Sequence, residues 1–273
     1  MNPIVGHFYF PITAYGICLS LAFAGGILSG WYWGRQIGFI GEEILDLALW
    51  FVVSAMIGAR GLYIILFPSQ FPTYASWIPL NRGGLVFYGG FIGTTLAVLI
   101  WSKWYNKRLR DLGDLIAPSL AIGQAIGRLG CFFNGCCYGR ATTMPWGIAF
   151  PNLHDGISRH PTQLYESAFM FILTGLLSLA LRRRLAGRLA AGMTWGYYVC
   201  SYATFRFLIE FIRDDERGGF FTPLGLSVSQ VIAVIALMAG VGWILACRRL
   251  DANGKGTHGT DTKSDATKQN SVG

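Results

Sequence analysis

Residues 11–33 read PITAYGICLSLAFAGGILSGWYW, a run with no Asp, Glu, Lys or Arg. A helix of about 20 residues crosses a hydrocarbon core of ~30 Å, and this run is long enough. Six further apolar runs follow, at 43–67, 84–101, 115–133, 162–181, 192–211 and 226–247. Glycine is frequent inside them, as in membrane helices that approach one another closely. The expected fold is therefore an all-α polytopic bundle of about seven transmembrane helices, with a polar cavity that opens sideways to the outer leaflet. No internal repeat or separate soluble domain interrupts it. Residues 1–249 form one membrane-embedded domain, and 250–273, almost without bulky apolar residues, read as a disordered tail.

The composition of the whole chain agrees. Apolar residues make up 53% of it and charged residues only 13%, with a mean hydropathy of +0.44. A soluble domain carries roughly 25% charged residues. The formal net charge of +8 does not point to nucleic acid, because the basic residues sit in short clusters between apolar runs. Fourteen of them fall in the first, third and fifth connections and the tail, and five in the N-terminus and the other connections. The positive-inside rule then puts the N-terminus outside and the tail in the cytoplasm. No basic segment precedes the first run, so no cleavable signal is expected.

Arg60, Arg128 and Arg206 lie inside the runs, with Glu166 and Glu210 as acidic company. An arginine at bilayer depth costs about 2.5–3.5 kcal/mol on insertion scales, so it faces a polar cavity or a partner. Arg206, Glu210 and Arg213 are spaced i, i+4, i+7 and share one helix face. A structural ion pair between Arg206 and Glu210 fits this spacing, and so does a grip on phosphate, which arginine holds bidentately. Lipid headgroups are the phosphates at hand. On the outer side, the connection from about 134 to 161 is long for a plain connector and rich in Gly, Arg, His, Asn and Cys. Gly135 and Gly139 allow a tight turn or a close approach to a ligand.

The cysteines fall into two sets. Cys18, Cys200 and Cys247 are isolated in apolar runs and read as small packing residues. Cys131, Cys136 and Cys137 stand together near the outer, oxidising side, where structural thiols, a disulfide and a covalent relay all remain open. Their Cys-x4-Cys-Cys spacing matches no recognised zinc pattern, and no metal site is expected.

Seven blocks now stand in one order: Tyr15-Gly16, GARGLYIIL at 58–66, NRGGLVFYGGFIG at 81–93, GRLGCFFNGCCYG at 127–139, PWGIAFP at 145–151, RHPTQLYES at 159–167 and FRFLIEFIR at 205–213. In these blocks the chain resembles the bacterial prolipoprotein diacylglyceryl transferases, over nearly everything before the tail. The resemblance implies transfer of the diacylglyceryl group of phosphatidylglycerol to the lipobox cysteine thiol of a prolipoprotein, the first step of lipoprotein maturation. It implies as partners phosphatidylglycerol, prolipoprotein signal peptides and membrane lipid, with no nucleic acid and no metal or organic cofactor. It places the protein in the bacterial cytoplasmic (inner) membrane. By position, Arg128 and Arg206 match the family's headgroup and phosphate contacts, with Glu210 orienting Arg206. Tyr15, Arg60, Asn134, Gly139 and Arg213 are the further substrate contacts it implies.

The chain departs from the family at three positions. Cys131 stands where Asn is usual, Cys136 where Glu is usual, and Tyr88 where many members have a histidine proposed as base. A tyrosine with a pKa near 10 is a weak base unless arginines lower it, so His160 joins Tyr88 as a candidate. The alternatives to a transferase of this kind are a non-enzymatic phospholipid-binding or transport paralogue, or a transferase with a different acceptor.

Overall fold

The computed structural model describes residues 4–7, 11–68, 84, 86–213, 220–221 and 225–269, with side chains between Thr13 and Ala252. Residues 81–83 and 85, in the stretch expected to lead into the third span, lie outside them. Each apolar run holds a helix: α1 Ala14–Ile37, α2 Gly41–Leu66, α3 Phe87–Trp104, α4 Leu109–Asn134, α5 Thr162–Leu185, α6 Met193–Ile209 and α7 Val228–Gln269. Five of them, α1, α2, α4, α5 and the Val228–Ala252 part of α7, are long and apolar enough to cross a membrane. The helical backbone of α7 continues past residue 250, where the disordered tail was expected to begin.

The fold is mostly helical, as expected, with short ladders added to it among the described residues. Three two-stranded antiparallel ladders occupy connections: β1 Ile4–His7 with β2 Pro11–Thr13, β3 Ile148–Ala149 with β4 Ser158–Arg159, and β5 Phe220–Phe221 with β6 Leu226–Ser227. Pro11 and Ile12, assigned to the first span, belong to β2 instead. Hydropathy detects long apolar helices but is blind to short ladders, whose backbone groups simply pair with each other.

The chain forms two compact units, Trp31–Leu112 and Met1–Gly30 together with Gly113–Gly273. In the first, α2 and α3 pack backbone to backbone. A side chain at Gly58 or at Gly89 would run into the other's carbonyl, and one at Gly93 would lie 2.5 Å from the Ser54 carbonyl oxygen. Such close approach is how membrane helices gain contact without a hydrophobic drive between them. Polar pairs stand at both ends of this packing. The Arg60 guanidinium donates to the Gly84 carbonyl at 3.2 Å, and Lys107 pairs with Glu43 at 2.7 Å. Trp101 Nε1 donates to Asp46 Oδ2 at 2.8 Å.

The second unit has an apolar core with buried polar groups at its ends. On α4, Ala117, Ala121 and Ala125 recur every fourth residue and pack against Met170, Leu173 and Leu177 of α5 and Tyr198 of α6. Outward, Phe171, Ile172 and Leu176 of α5 are exposed, as lipid-facing residues are. At one end of the unit Asp114 is fully buried, with its carboxylate bound to Arg184 Nη1 at 2.8 Å, Gly192 N at 2.7 Å and Trp195 N at 3.1 Å. The last two are among the N–H groups that a helix start leaves without intrahelical partners, so Asp114 caps α6 from α4. Trp243 of α7 donates to the Gly192 carbonyl at 2.8 Å and joins the fourth helix to the same point.

Removing this carboxylate takes the Asp114 partner from a mostly buried guanidinium. Asp114→Ala is expected to cost about 3–5 kcal/mol of stability, the usual penalty for breaking a buried pair from one side. Asp114→Asn, which keeps an acceptor, should cost less. Unfolding followed in mixed micelles checks both values.

Candidate active site

The first two turns of α5 decide where the polar chemistry of this unit collects. Thr162, Gln163, Glu166 and Ser167 fall on one helix face, and all four are at most 2% exposed. Below them the same face continues as Met170, Leu173, Leu177 and Leu181. The buried stripe is thus apolar along most of the helix and polar at one end. Ser167 Oγ donates to the Ala125 carbonyl of α4 at 2.8 Å. Thr162 Oγ1 and Gln163 Nε2 donate, each at 2.7 Å, to the carbonyls of Cys137 and Cys136.

Glu166 is the centre of the cluster. Its Oε1 pairs with Arg128 Nη2 of α4 at 2.8 Å and accepts from the Tyr202 hydroxyl of α6 at 3.5 Å. Its Oε2 lies 3.7 Å from Arg213 Nη1. One turn beyond Tyr202, Arg206 pairs with Glu210, which also accepts from Ser227 Oγ at 2.7 Å, while Arg206 Nη2 donates to Ser229 Oγ at 3.1 Å. Among the described residues, three arginines and two glutamates make up this cluster. Arg128 and Arg206 keep 22% and 17% of their side chains exposed, whereas Arg213 keeps 3%. The first two can meet an anion from outside; Arg213 is turned in on Glu166.

The connection between α4 and α5 is anchored to this cluster by backbone. Gly139 N donates to the His160 carbonyl at 2.9 Å, His160 N to Arg140 at 3.1 Å, and Arg140 N to the Ile212 carbonyl at 2.8 Å. Three segments cross at Gly139, which forms an isolated bridge with Arg213. A side chain there would lie 2.5 Å from the Ile212 carbonyl oxygen and 2.9 Å from the His160 Cβ. Gly139, expected as a substrate contact, is buried at this junction and positions Arg213. The neighbouring β3–β4 hairpin carries Asp155, whose carboxyl is held below the ordinary aspartate range by a hydrogen bond from Arg159 Nη1 at 3.0 Å.

The remaining expected residues are spread out. The His160 ring lies 3.3 Å from the Tyr165 hydroxyl through Nδ1. Asn134 ends α4 and is exposed. Tyr15, 40% exposed, packs beside Gly130. Arg60 and Tyr88 belong to the other unit, where Arg60 is buried with its guanidinium near the Tyr63 ring and Tyr88 is exposed at the start of α3. Cys131, Cys136 and Cys137, which stand together in the sequence, also come together in space: their Sγ atoms lie within 4.8 Å of one another. Sequence reasoning gave Glu166 no role beyond company for the arginines and passed over Tyr202. The available signal was the polar quartet 162, 163, 166 and 167, whose helical spacing marks a buried polar face inside an otherwise apolar run.

The chain is also similar in sequence to known proteins. The family model for prolipoprotein diacylglyceryl transferase matches residues 3–246. A phosphatidylglycerol–prolipoprotein diacylglyceryl transferase of Legionella pneumophila (strain Corby) is 31% identical over 260 residues, covering 91% of this chain and 98% of the relative. Proteins of the same name from Trichormus variabilis and Nostoc sp. are 35% and 36% identical, each over 88% of both chains.

The junction at Gly139 yields a direct test. Gly139→Ala forces a methyl group against backbone and is expected to lose about 1–3 kcal/mol of stability, as overpacked sites do. Gly127→Ala on α4, where the added methyl meets nothing within 4 Å, should be neutral or slightly stabilising. Thermal unfolding of the two variants side by side checks the contrast.

Proposed function

The chain belongs to the prolipoprotein diacylglyceryl transferase family, and we propose that its reaction takes place at the Arg128–Glu166 cluster. The protein is an enzyme of lipoprotein maturation that moves the diacylglyceryl group of phosphatidylglycerol onto a prolipoprotein cysteine. The observation that carries the siting is the shared Glu166 carboxylate, which holds Arg128 in a fixed pose while leaving part of its guanidinium exposed.

In the reaction the cysteine sulfur attacks the glycerol carbon that bears the phosphate. A carbon–sulfur bond forms, the carbon–oxygen bond to phosphate breaks, and glycerol phosphate leaves with the thiol proton. Negative charge grows on the leaving phosphate in the transition state. Cations already in place to meet that charge lower the barrier without reorganising. Arg128 and Arg206 take this role, each braced by a carboxylate, and Arg213 holds Glu166 from the buried side. Tyr15 and Asn134 supply polar contacts beside them. The acceptor brings its own nucleophile: a thiol with an ordinary pKa of about 8.5 is a few per cent thiolate at pH 7. Neither Tyr88 nor His160 is needed to start the attack, and the His160 ring is turned to Tyr165.

Both substrates reside in or at the bilayer, the phospholipid by its chains and the prolipoprotein by its signal peptide. We place the enzyme as a seven-span protein of the cytoplasmic membrane, with the N-terminus outside and residues 250–273 inside. The loop charges support that orientation, and the exposed apolar helix faces support burial in lipid.

Arg128→Ala should lower the transfer rate about 10²–10³-fold, the cost of removing one preorganised charge-stabilising donor, while the protein still inserts. Arg128→Lys should recover little, because a point charge lacks the planar fork. Transfer from a fluorescent phosphatidylglycerol to a cysteine peptide measures both. Full activity in Arg128→Ala would remove Arg128 from its assigned role.

A further inference from the structure

Cys131, Cys136 and Cys137 replace or adjoin residues usual in the family, and their arrangement has a chemistry that diacylglyceryl transfer does not use. Cys131 lies in the last turn of α4, three residues after Arg128. The chain then folds back on itself. Cys136 N donates to the Cys131 carbonyl at 3.2 Å, and Gly135 (φ +68°) and Cys137 (φ +65°) both take the left-handed conformation. A residue other than glycine adopts that conformation at a cost, and such positions gather at functional sites. The reversal turns the second and third thiols back toward the first, so that the three Sγ atoms lie within 4.8 Å of one another.

The loop that does this is held from three sides. Gln163 Nε2 and Thr162 Oγ1, both buried, grip the Cys136 and Cys137 carbonyls, and Asn152 Nδ2 donates to the Gly135 carbonyl at 3.0 Å. The Cys136 thiol also donates to the Cys131 carbonyl at 3.7 Å. Three sulfurs each about 2.3 Å from a common centre stand roughly 4 Å apart, within reach of this spacing by small side-chain rotations. A disulfide would bring two sulfurs to about 2.05 Å and strand the third. Neutral thiols ligate as thiolates, and the Arg128 guanidinium lies near enough to act electrostatically on Cys131 and Cys137.

We propose that Cys131, Cys136 and Cys137 form a three-thiolate site for a thiophilic d10 cation, of the class of Cu(I) or Zn(II). Thiolate sulfur selects such soft ions over oxygen-seeking ones. Binding displaces the thiol protons to solvent and leaves a net negative centre, which Arg128 faces across one helical turn. Occupancy is therefore felt at Arg128, where it competes with Glu166 for the same guanidinium.

Cd(II) is a suitable probe, added to the reduced full-length protein in detergent micelles. Sulfur-to-metal charge-transfer absorption should saturate at a single ion per chain, with proton release and with protection of Cys131, Cys136 and Cys137 against alkylation. Cys131→Ser, Cys136→Ser and Cys137→Ser should each weaken binding by 10-fold or more, while a variant with serine at Cys18, Cys200 and Cys247 should bind as the wild type does. Competition of Cu(I) and Zn(II) against bound Cd(II) ranks the two ions. The wild-type alkylation pattern stands even if a serine variant fails to fold. Absence of the charge-transfer band in the reduced protein would overturn the proposal. So would a band that survives all three substitutions, or a disulfide among the three whose reduced form takes up no Cd(II).

Discussion

A carboxylate buried among packed helices must be paired, and Glu166 is 1% exposed. Taking one such charge out of water costs several kcal/mol unless opposite charge and hydrogen bonds surround it. Arg128 from α4, Tyr202 from α6 and Arg213 from the segment after α6 all meet this one group. The requirement fixes the facing of three helices at once and brings two arginines together that would otherwise repel. A cationic site in lipid is stable because of this anion at its back.

The same logic operates at the far end of α4. Asp114 and Arg128 are fourteen residues apart, about 21 Å along a helix at 1.5 Å per residue. Each end of the unit thus has one buried carboxylate: Asp114 ties Arg184 and the start of α6, and Glu166 ties the arginines. Between them the packing is mostly alanine against leucine and methionine, and the Tyr198 hydroxyl there donates to Gln124 Oε1 at 3.1 Å. Rigid helices anchored at both ends are a suitable frame for guanidiniums that must hold position while charge develops beside them. The cysteine loop and the Gly139 junction belong to the same frame, because Thr162 and Gln163 lie one turn before Glu166 on the same face of α5.

The helices were legible because apolar length is a one-dimensional signal, and α1 to α7 stand where the runs stand. Arg128, Arg206 and Glu210 were legible because a charge inside an apolar run calls for a partner. The partners themselves were not. The link between Glu166 and Arg128 joins positions 38 residues apart, and nothing local encodes it. Asp114 escaped notice because the apolar run was taken to begin one residue later, so a capping carboxylate read as loop. Gly139 looked like a ligand contact and is a backbone crossing, a distinction that depends on which carbonyls surround it. The three thiols looked mismatched to metal by spacing, and two left-handed residues bring them together.

The most direct measurement is the rate of diacylglyceryl transfer from labelled phosphatidylglycerol to a lipobox-cysteine peptide, for the purified protein and for Glu166→Gln. The substitution keeps size and hydrogen bonding but removes the charge that holds Arg128 and Arg213 together. The expected result is transfer by the wild type and a loss of about 10²-fold or more in a variant that still inserts and folds. Equal rates in the two proteins would contradict the placing of the reaction at this cluster, and so would a folded wild type that transfers nothing.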